Sequence, residues 1–288
     1  MRDTNGNTEP EQNTAPGQAS RLLLLTDAHA HVDTLEEARE RIRERIPTLL
    51  CAANPEDVRR IQPFLSLPGA ENFLIPTYGL HPWHSAAWTV PEMADYLKKG
   101  EIIGEIGMDR VWCTVPLPIQ RRVFEEQLRL ACELKKPVIL HTKGQEAEIA
   151  ELLRGYPNQY LVHWYSCDQF LERYLEQDCY VSIGPDVFWN PAVQEAARRV
   201  PMDRILMETD GLSAVHWAIS EAPEEAQGEW ERWKKDGGTD RAPLSARESL
   251  EYTLKTVSRL RGVPEGELLA RTEKNFRSFL GGCPDASS

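Results

Sequence analysis

The sequence lacks any apolar run long enough to cross a membrane. A spanning helix takes about 20 consecutive apolar residues, whereas the leucine run near the start covers only residues 22–25. That run is also too short for the apolar core of a signal peptide. We therefore expect a chain that does not insert into a membrane.

The sequence also lacks an excess of basic residues. It has 33 Lys and Arg against 45 Asp and Glu, which gives a net charge of −12. Broad, sequence-independent binding to nucleic acid depends on many Lys and Arg contacts to phosphate, so the composition argues against it. It leaves open a local basic groove, or a metal site that supplies the positive charge itself.

Paired cysteines of the CxxC type are missing too. The cysteines are instead scattered along the chain, which is typical of free thiols in a reducing cytoplasm and unlike a disulfide framework. We therefore expect a cytoplasmic protein, and the sequence indicates no obligate protein partner. The six scattered cysteines are Cys51, Cys113, Cys132, Cys167, Cys179 and Cys283.

What the sequence does contain is a regular alternation of short apolar runs and amphipathic, helix-like stretches. Repeated strand–helix units predict a parallel sheet, and eight of them predict a closed barrel. The predicted fold is therefore α/β, a single-domain (β/α)8 TIM barrel, which typically takes about 250 residues. The predicted strands are residues 22–26, 48–52, 73–78, 102–106, 137–140, 160–162, 180–183 and 205–207.

An open, doubly wound sheet is the alternative fold. Such a sheet usually has a Gly-rich phosphate-binding turn after its first strand. Here the first predicted strand is followed by residues 27–31, with the sequence DAHAH. The barrel is therefore favoured.

Three segments organise the chain. Residues 1–20 are rich in Asn, Thr, Pro, Gly and Gln, which predicts a disordered N-terminal tail. Residues 21–282 are predicted to form the barrel domain. Within it, residues 213–241 form an insert after the eighth strand that carries Trp217, Trp230 and Trp233. This insert either shapes the substrate pocket or is a solvated surface loop.

Histidines and carboxylates cluster at the predicted carboxyl ends of the strands. His29 and His31 are two residues apart, so in extended backbone their side chains point to the same side. Each residue alone is equally consistent with an ordinary hydrogen-bonded polar group. As a set at one barrel mouth, they predict ligands for one or two divalent metal ions: His29, His31, Glu105, His141, His163 and Asp210.

The ligand types indicate the chemistry. Imidazoles and carboxylates without cysteine suit Mg, Mn or Zn. Glu105 is the natural bridge between two ions because a carboxylate has two oxygens. Two ions about 3.5–4 Å apart activate a water and clamp the oxygen of a phosphoester or carbonyl. Asp210 could then be both ligand and proton acceptor.

Other polar residues have two interpretations each. His81 follows the third strand and either contacts substrate, as an acid for example, or caps a turn before Pro82. Lys143 either meets a substrate anion or is solvated. Asp33 either orients a ligand imidazole or caps the next helix. The remaining histidines, His84 and His216, have no pattern around them and are expected on surface loops.

These residues resemble the TatD family of metal-dependent hydrolases, within the amidohydrolase superfamily. The resemblance runs from about residue 26 to residue 281. The matching stretches are residues 26–33 (TDAHAHVD), 79–83 (GLHPW), 103–109 (IGEIGMD), 120–130 (QRRVFEEQLRL), 137–141 (PVILH), His163, 182–184 (SIG), 204–210 (RILMETD) and 275–281 (NFRSFLG).

The resemblance implies a barrel, a divalent-metal site and phosphodiester hydrolysis, typically as a 3′–5′ deoxyribonuclease on single strands or damaged ends. It implies that Glu105 is shared by two ions. The first ion would be held by His29, His31, Glu105 and Asp210, and the second by Glu105, His141 and His163.

Features on the substrate side depart from the family pattern. Residues 164–167 (WYSC) replace a Phe-Ser-Gly turn, Lys143 replaces the common arginine, and a Trp-rich, acidic insert follows Asp210. Hydrolysis is therefore better supported than DNA as the substrate.

Three functions remain open at the level of sequence. The first is a TatD-like nuclease or phosphodiesterase acting on single-stranded DNA, which a basic groove at the mouth would favour. The second is a hydrolase of a small lactone, amide or phosphoester, which closure of the mouth by the insert would favour. The third is a metal-binding protein without turnover. A candidate base, Asp210, argues against the third.

Overall fold

The computed structural model describes residues 23–237 and 244–281. The predicted disordered tail, residues 1–20, lies outside the described residues. None of the helices in the described part of the chain has the length and apolar character required to span a bilayer.

Eight parallel strands form one sheet in sequential order, from the first to the eighth. This order confirms the (β/α)8 barrel and excludes the doubly wound alternative, in which the strand order reverses at a switch point. The strands are β1 Asp27–Ala30, β2 Thr48–Ala52, β3 Leu74–Tyr78, β4 Ile103–Gly107, β5 Val138–His141, β6 Tyr160–Val162, β7 Tyr180–Ile183 and β8 Ile205–Met207.

Helices surround the sheet and follow the strands. Short 3-10 turns occur at Pro82–His84 and Pro185–Phe188. The helices are α1 Leu35–Arg43, α2 Pro55–Leu65, α3 Ala70–Phe73, α4 Val90–Lys99, α5 Leu117–Leu134, α6 Glu146–Leu153, α7 Leu171–Leu175, α8 Pro191–Arg199, α9 Leu212–Ser220, α10 Glu224–Asp236, α11 Ala246–Arg261 and α12 Glu265–Leu280.

The first strand lies later in the chain than predicted. The prediction assigned residues 22–26, but β1 begins at Asp27, which pairs with Thr48 of β2. Residues 23–26 before it lie outside the sheet, with Leu25 buried in the outer core and Leu23 exposed. The prediction was wrong here because the polar residues of β1 are buried within the barrel, where an apolar pattern was expected.

An apolar layer fills the barrel below its mouth. It is closed from beneath by Phe276 and Phe279 of α12. Side chains two residues further along a regular strand face the same side, so the next layer lies directly above it except at β1 and β4, where the register shifts. The members of the lower layer are Ala28, Leu49, Ile102, Ile139, Leu161, Tyr180 and Leu206.

A buried ion pair closes the barrel between the last strand and the first. Arg41 of α1 is fully buried and donates to Asp27 at 2.6 Å and to Thr209 at 3.2 Å. The Thr209 hydroxyl also donates to Asp27 at 2.7 Å. Beyond it, the Asp210 N–H donates to the His29 carbonyl at 3.0 Å. These bonds fix the end of β8 against β1.

The insert after β8 is helical in its described part, so the expectation of a solvated loop is wrong there. Trp230 of α10 is buried and packs against Phe188 and Tyr252. Trp233 adjoins the same cluster. This packing fixes α10 against α11 and the 3-10 turn at Pro185–Phe188, while Trp217 of α9 reaches the mouth.

Candidate metal centre

The six predicted ligands converge at the carboxyl end of the barrel. His29 lies in β1 and His31 directly after it, while Glu105 lies in β4. The other three follow or end later strands: His141 ends β5, His163 follows β6, and Asp210 follows β8. Residues that are far apart in sequence are therefore within contact distance.

Glu105 is at the centre of the group. Its Oε2 lies 3.3 Å from Nε2 of His29 and 3.3 Å from Nε2 of His31. Its Oε1 lies 2.7 Å from Nδ1 of His141 and 2.7 Å from Nε2 of His163. Each carboxylate oxygen thus faces its own pair of imidazoles, which is the arrangement that a ligand shared by two cations requires.

The donor set fits divalent cations. Nε2 of His29 and Nε2 of His31 face each other at 3.3 Å, and so do Nδ1 of His141 and Nε2 of His163. Oδ1 of Asp210 is buried and makes no hydrogen bond. These nitrogen and oxygen atoms point their lone pairs at one another with too few protons to make hydrogen bonds between them. A bound cation would satisfy such lone pairs.

Electrostatics point the same way. Burial alone lowers the pKa of His163, but the carboxylates of Glu105 and Glu208 raise it to about 9. Burial alone raises the pKa of Glu105, but the imidazoles around it hold that pKa well below its usual range. The buried carboxylates therefore favour positive charge at this place.

Asp109 orients one of the imidazoles and was missed at the level of sequence. Its Oδ2 lies 3.1 Å from Nε2 of His141, which leaves Nδ1 of that ring facing Glu105. Asp109 also accepts a hydrogen bond from the Trp83 indole at 2.7 Å and from the Trp112 backbone N–H at 2.9 Å. Its place at the end of the family-matching stretch 103–109 was the sequence indication.

Glu208 orients a second imidazole and was also missed. Its Oε1 lies 3.3 Å from Nδ1 of His163, and its Oε2 accepts a hydrogen bond from the Ser182 hydroxyl at 2.6 Å. Strand alternation could have identified it, because Glu208 follows Leu206 of the apolar layer by two residues.

His81 lies beside the cluster. Its Nδ1 accepts a hydrogen bond from the Trp83 backbone N–H at 3.2 Å, so His81 caps the turn, which was one of its two interpretations. Its Nε2 lies 3.6 Å from Oε1 of Glu105, so it also faces the site. Burial lowers the pKa of His81 to about 4, which keeps the ring neutral near pH 7.

Lys143 is buried, so the prediction of a solvated lysine is wrong. Its ammonium group donates to the Trp164 carbonyl at 2.7 Å and to the Ser166 hydroxyl at 2.8 Å. It also lies 5.9 Å from the ring centre of Trp112. Burial lowers its pKa. Two of its three N–H donors are used by these hydrogen bonds, and its side chain lines the cavity.

The remaining candidates lie at the edge of the site or away from it. Asp33 neither caps α1, whose N-cap is Thr34, nor hydrogen-bonds an imidazole; it accepts from Ser213 at 2.8 Å. His84 was expected on the surface but lines the cavity. His216 is exposed on α9.

A cavity of about 630 Å³ opens at the mouth and is lined by five of the six candidate ligands, all except His29. Its rim carries Trp83, Trp112 and Trp217, which are 50%, 54% and 43% exposed. Trp217 of α9 contacts Trp112 and Trp164 edge-on. The insert therefore supplies one wall of the cavity.

A barrel with this mouth defines a metal-dependent hydrolase. The family model described as TatD related DNase matches residues 26–281, and the chain belongs to this family.

Relatives and solved structures agree with this assignment. The chain is 25% identical over 273 residues to YcfH of Escherichia coli K12, an uncharacterized metal-dependent hydrolase, and this match covers 88% of the chain and 94% of YcfH. It is 29% identical over 156 residues to human TATDN2, a 3′-5′ RNA nuclease; the match covers 49% of the chain but only 20% of TATDN2. The crystal structure of the TatD homolog YJJV from E. coli has the same fold, with a TM-score of 0.70, 19% identity, and coverage of 90% of the chain and 98% of YJJV.

Proposed function

We propose that the protein removes nucleotides from the 3′ end of single-stranded DNA by metal-dependent hydrolysis. The name of the family, TatD related DNase, supports DNA as the substrate. The name of TATDN2, a 3′-5′ RNA nuclease, supports the direction of cleavage on a nucleic acid. The observation that carries the proposal is the cavity, in which exposed tryptophans lie directly above the candidate metal ligands.

The tryptophan rim suits nucleobases. Proteins that bind single strands without sequence preference stack bases on aromatic side chains. Trp112 and Trp217 lie edge to face, with ring centres 6.3 Å apart, and both line the cavity that contains Asp210. A terminal base held by these rings would leave its phosphodiester at the ligand set.

Asp210 is the proposed base. Its side chain is 20% exposed and lines the cavity, so water reaches it. Its backbone N–H is tied to β1, which fixes the position of the carboxylate. Bound cations would supply Lewis-acid charge at the phosphoryl oxygen and acidify the attacking water. Asp210 then accepts the proton of that water.

Two further residues are proposed to hold the substrate. Neutral His81 keeps its proton on Nε2, because Nδ1 accepts from Trp83, and so donates to a phosphate oxygen. Lys143 supplies the one charged donor from its unused N–H. The set of six candidate ligands contains four imidazoles, which favours zinc over magnesium and manganese. Free cysteines support a cytoplasmic location.

The charge at the mouth predicts how binding depends on salt. Lys143 is the single Lys or Arg among the cavity-lining residues of the described chain, and Asp57 and Asp186 line it too. Each phosphate contact to a single strand contributes a slope of about −0.7 to log K against log salt. We expect a slope of about −0.7 to −1.4, for one or two contacts, measured by anisotropy with a labelled oligonucleotide.

A panel of substrates tests the proposal. Single-stranded DNA labelled at its 5′ end should be shortened stepwise from the 3′ end, and a blocked 3′ end should stop this. Circular single-stranded DNA should remain intact. Cleavage of the circle, or shortening from the 5′ end, would contradict the 3′–5′ direction.

A small-molecule hydrolase is the second candidate. It is favoured by the same scarcity of basic residues around the cavity and by the wall that α9 contributes. If this candidate is correct, a lactone or a small phosphoester is turned over while every DNA in the panel stays intact.

A further inference from the structure

One cysteine lies in the layer of side chains that forms the metal centre. Leu49 of β2 belongs to the apolar layer of the barrel interior. Cys51 follows it by two residues in the same strand, so its side chain faces the same interior one layer higher. Cys51 is fully buried. In strands β5 and β6, this same step leads from Ile139 to His141 and from Leu161 to His163.

The sulfur is within reach of the candidate ligands. The ligand atoms of His29, His31, Cys51 and Glu105 all lie within 4.8 Å of one another. Of the cysteines in the described chain, Cys51 alone belongs to such a group. We propose that Cys51 binds, as a thiolate, the cation held by His29, His31 and Glu105, and biases this position toward zinc.

A second feature favours a charged sulfur at this place. Thr77 of β3 is the register partner of Cys51, so the two side chains face the same way. Thr77 is fully buried, and its hydroxyl has no hydrogen-bond partner. An unpaired buried hydroxyl is costly. No hydrogen bond joins it to Cys51, but a Cys51 thiolate on the adjacent strand would offer it an acceptor.

The chemistry is acid–base and involves no oxidation. The thiol loses its proton to solvent as the sulfur–metal bond forms. Thiolate is a soft ligand that zinc and cobalt accept readily, whereas magnesium and manganese prefer oxygen. A ligand set with one sulfur therefore selects zinc over magnesium and manganese more strongly than imidazoles and carboxylates alone.

Cobalt(II) is the probe for this inference, which rests on the metal site proposed above. The full chain is stripped of metal, titrated with cobalt(II), and followed by absorption spectroscopy. Wild type should develop visible d–d bands, which report bound cobalt, and a near-ultraviolet thiolate-to-cobalt charge-transfer band. Cys51→Ser should keep the visible bands and lose the charge-transfer band. Cys179→Ser, which removes another buried thiol, should keep both.

Zinc affinity gives a second readout, measured by competition with a chelator. Cys51→Ser and Cys51→Ala should both weaken zinc binding at least 10-fold, while their manganese affinity stays within 2-fold of wild type. Circular dichroism checks that both variants are folded. Visible bands without a charge-transfer band in wild type, or a charge-transfer band that survives in Cys51→Ser, would overturn the role of Cys51. Absence of all cobalt bands would overturn the metal site itself.

Discussion

The residues of the candidate metal centre divide into those that face one another and those that hold them in place. Glu105 is surrounded by four imidazoles, whereas Asp210 keeps a buried oxygen without a hydrogen bond. Asp109 and Glu208 fix the rings of His141 and His163 from behind. Substitutions at these places should separate catalysis from metal binding.

Asp210→Asn should lower kcat on single-stranded DNA at least 100-fold, since a positioned base typically contributes about 10²–10⁴-fold. Asparagine has nearly the same shape, so the fold should persist. Single-turnover kinetics and circular dichroism check the two parts. A variant with near-wild-type kcat would remove Asp210 from proton transfer.

Glu208→Gln should weaken metal binding about 10–100-fold, because an amide cannot replace the carboxylate that holds His163. At saturating metal, kcat should recover most of its wild-type value. Zinc competition with a chelator measures the affinity. Glu195→Gln, on the exposed side of α8, is the matched control and should bind zinc like wild type. Equal affinity in Glu208→Gln would show that His163 needs no support.

Two elements set the geometry of the site from outside it. α1 carries Arg41, which joins the first strand to the end of the last one. α9 carries Trp217, which forms part of the cavity wall. The first affects the stability of the barrel, and the second affects binding of the substrate.

Arg41→Gln should reduce the free energy of unfolding by about 3–5 kcal/mol, because it leaves the buried carboxylate of Asp27 without its cation. Arg39→Gln, on the exposed face of the same helix, should change it by less than about 1 kcal/mol. Urea unfolding followed by tryptophan fluorescence measures both. Equal values for the two variants would contradict the role of Arg41 in closing the barrel.

Trp217→Ala should raise KM for single-stranded DNA roughly 10-fold, because losing a stacked base costs about 1–3 kcal/mol. His216→Ala, exposed on the same helix, should leave KM unchanged. Steady-state kinetics with short oligonucleotides compares the two. If Trp217→Ala raises KM no more than His216→Ala does, bases do not stack on α9.

At the scale of the whole molecule, the sequence predicted the barrel and predicted that all six candidate ligands lie at its mouth, where the structure places them. Both followed from strand periodicity, since the carboxyl ends of parallel strands meet. The start of β1 could not be predicted, because its polar residues are buried inside the barrel. Asp109, which holds His141, could not be predicted either, because the contact joins residues 32 positions apart in the chain. Glu208 and Cys51 could have been found, because each follows a member of the apolar layer by two residues. The helices of the insert could not be predicted, because its charged, glycine-containing sequence resembles that of a surface loop.

The most direct test of the account is to strip the protein of metal and refill it with Mg²⁺, Mn²⁺ or Zn²⁺, with 5′-labelled single-stranded DNA as substrate and Asp210→Asn in parallel. The account predicts that the stripped protein is inactive, that at least one metal restores stepwise shortening from the 3′ end, and that the refilled variant binds the metal but stays inactive. Shortening that persists without metal, or equally in Asp210→Asn, would contradict metal-dependent hydrolysis at this site.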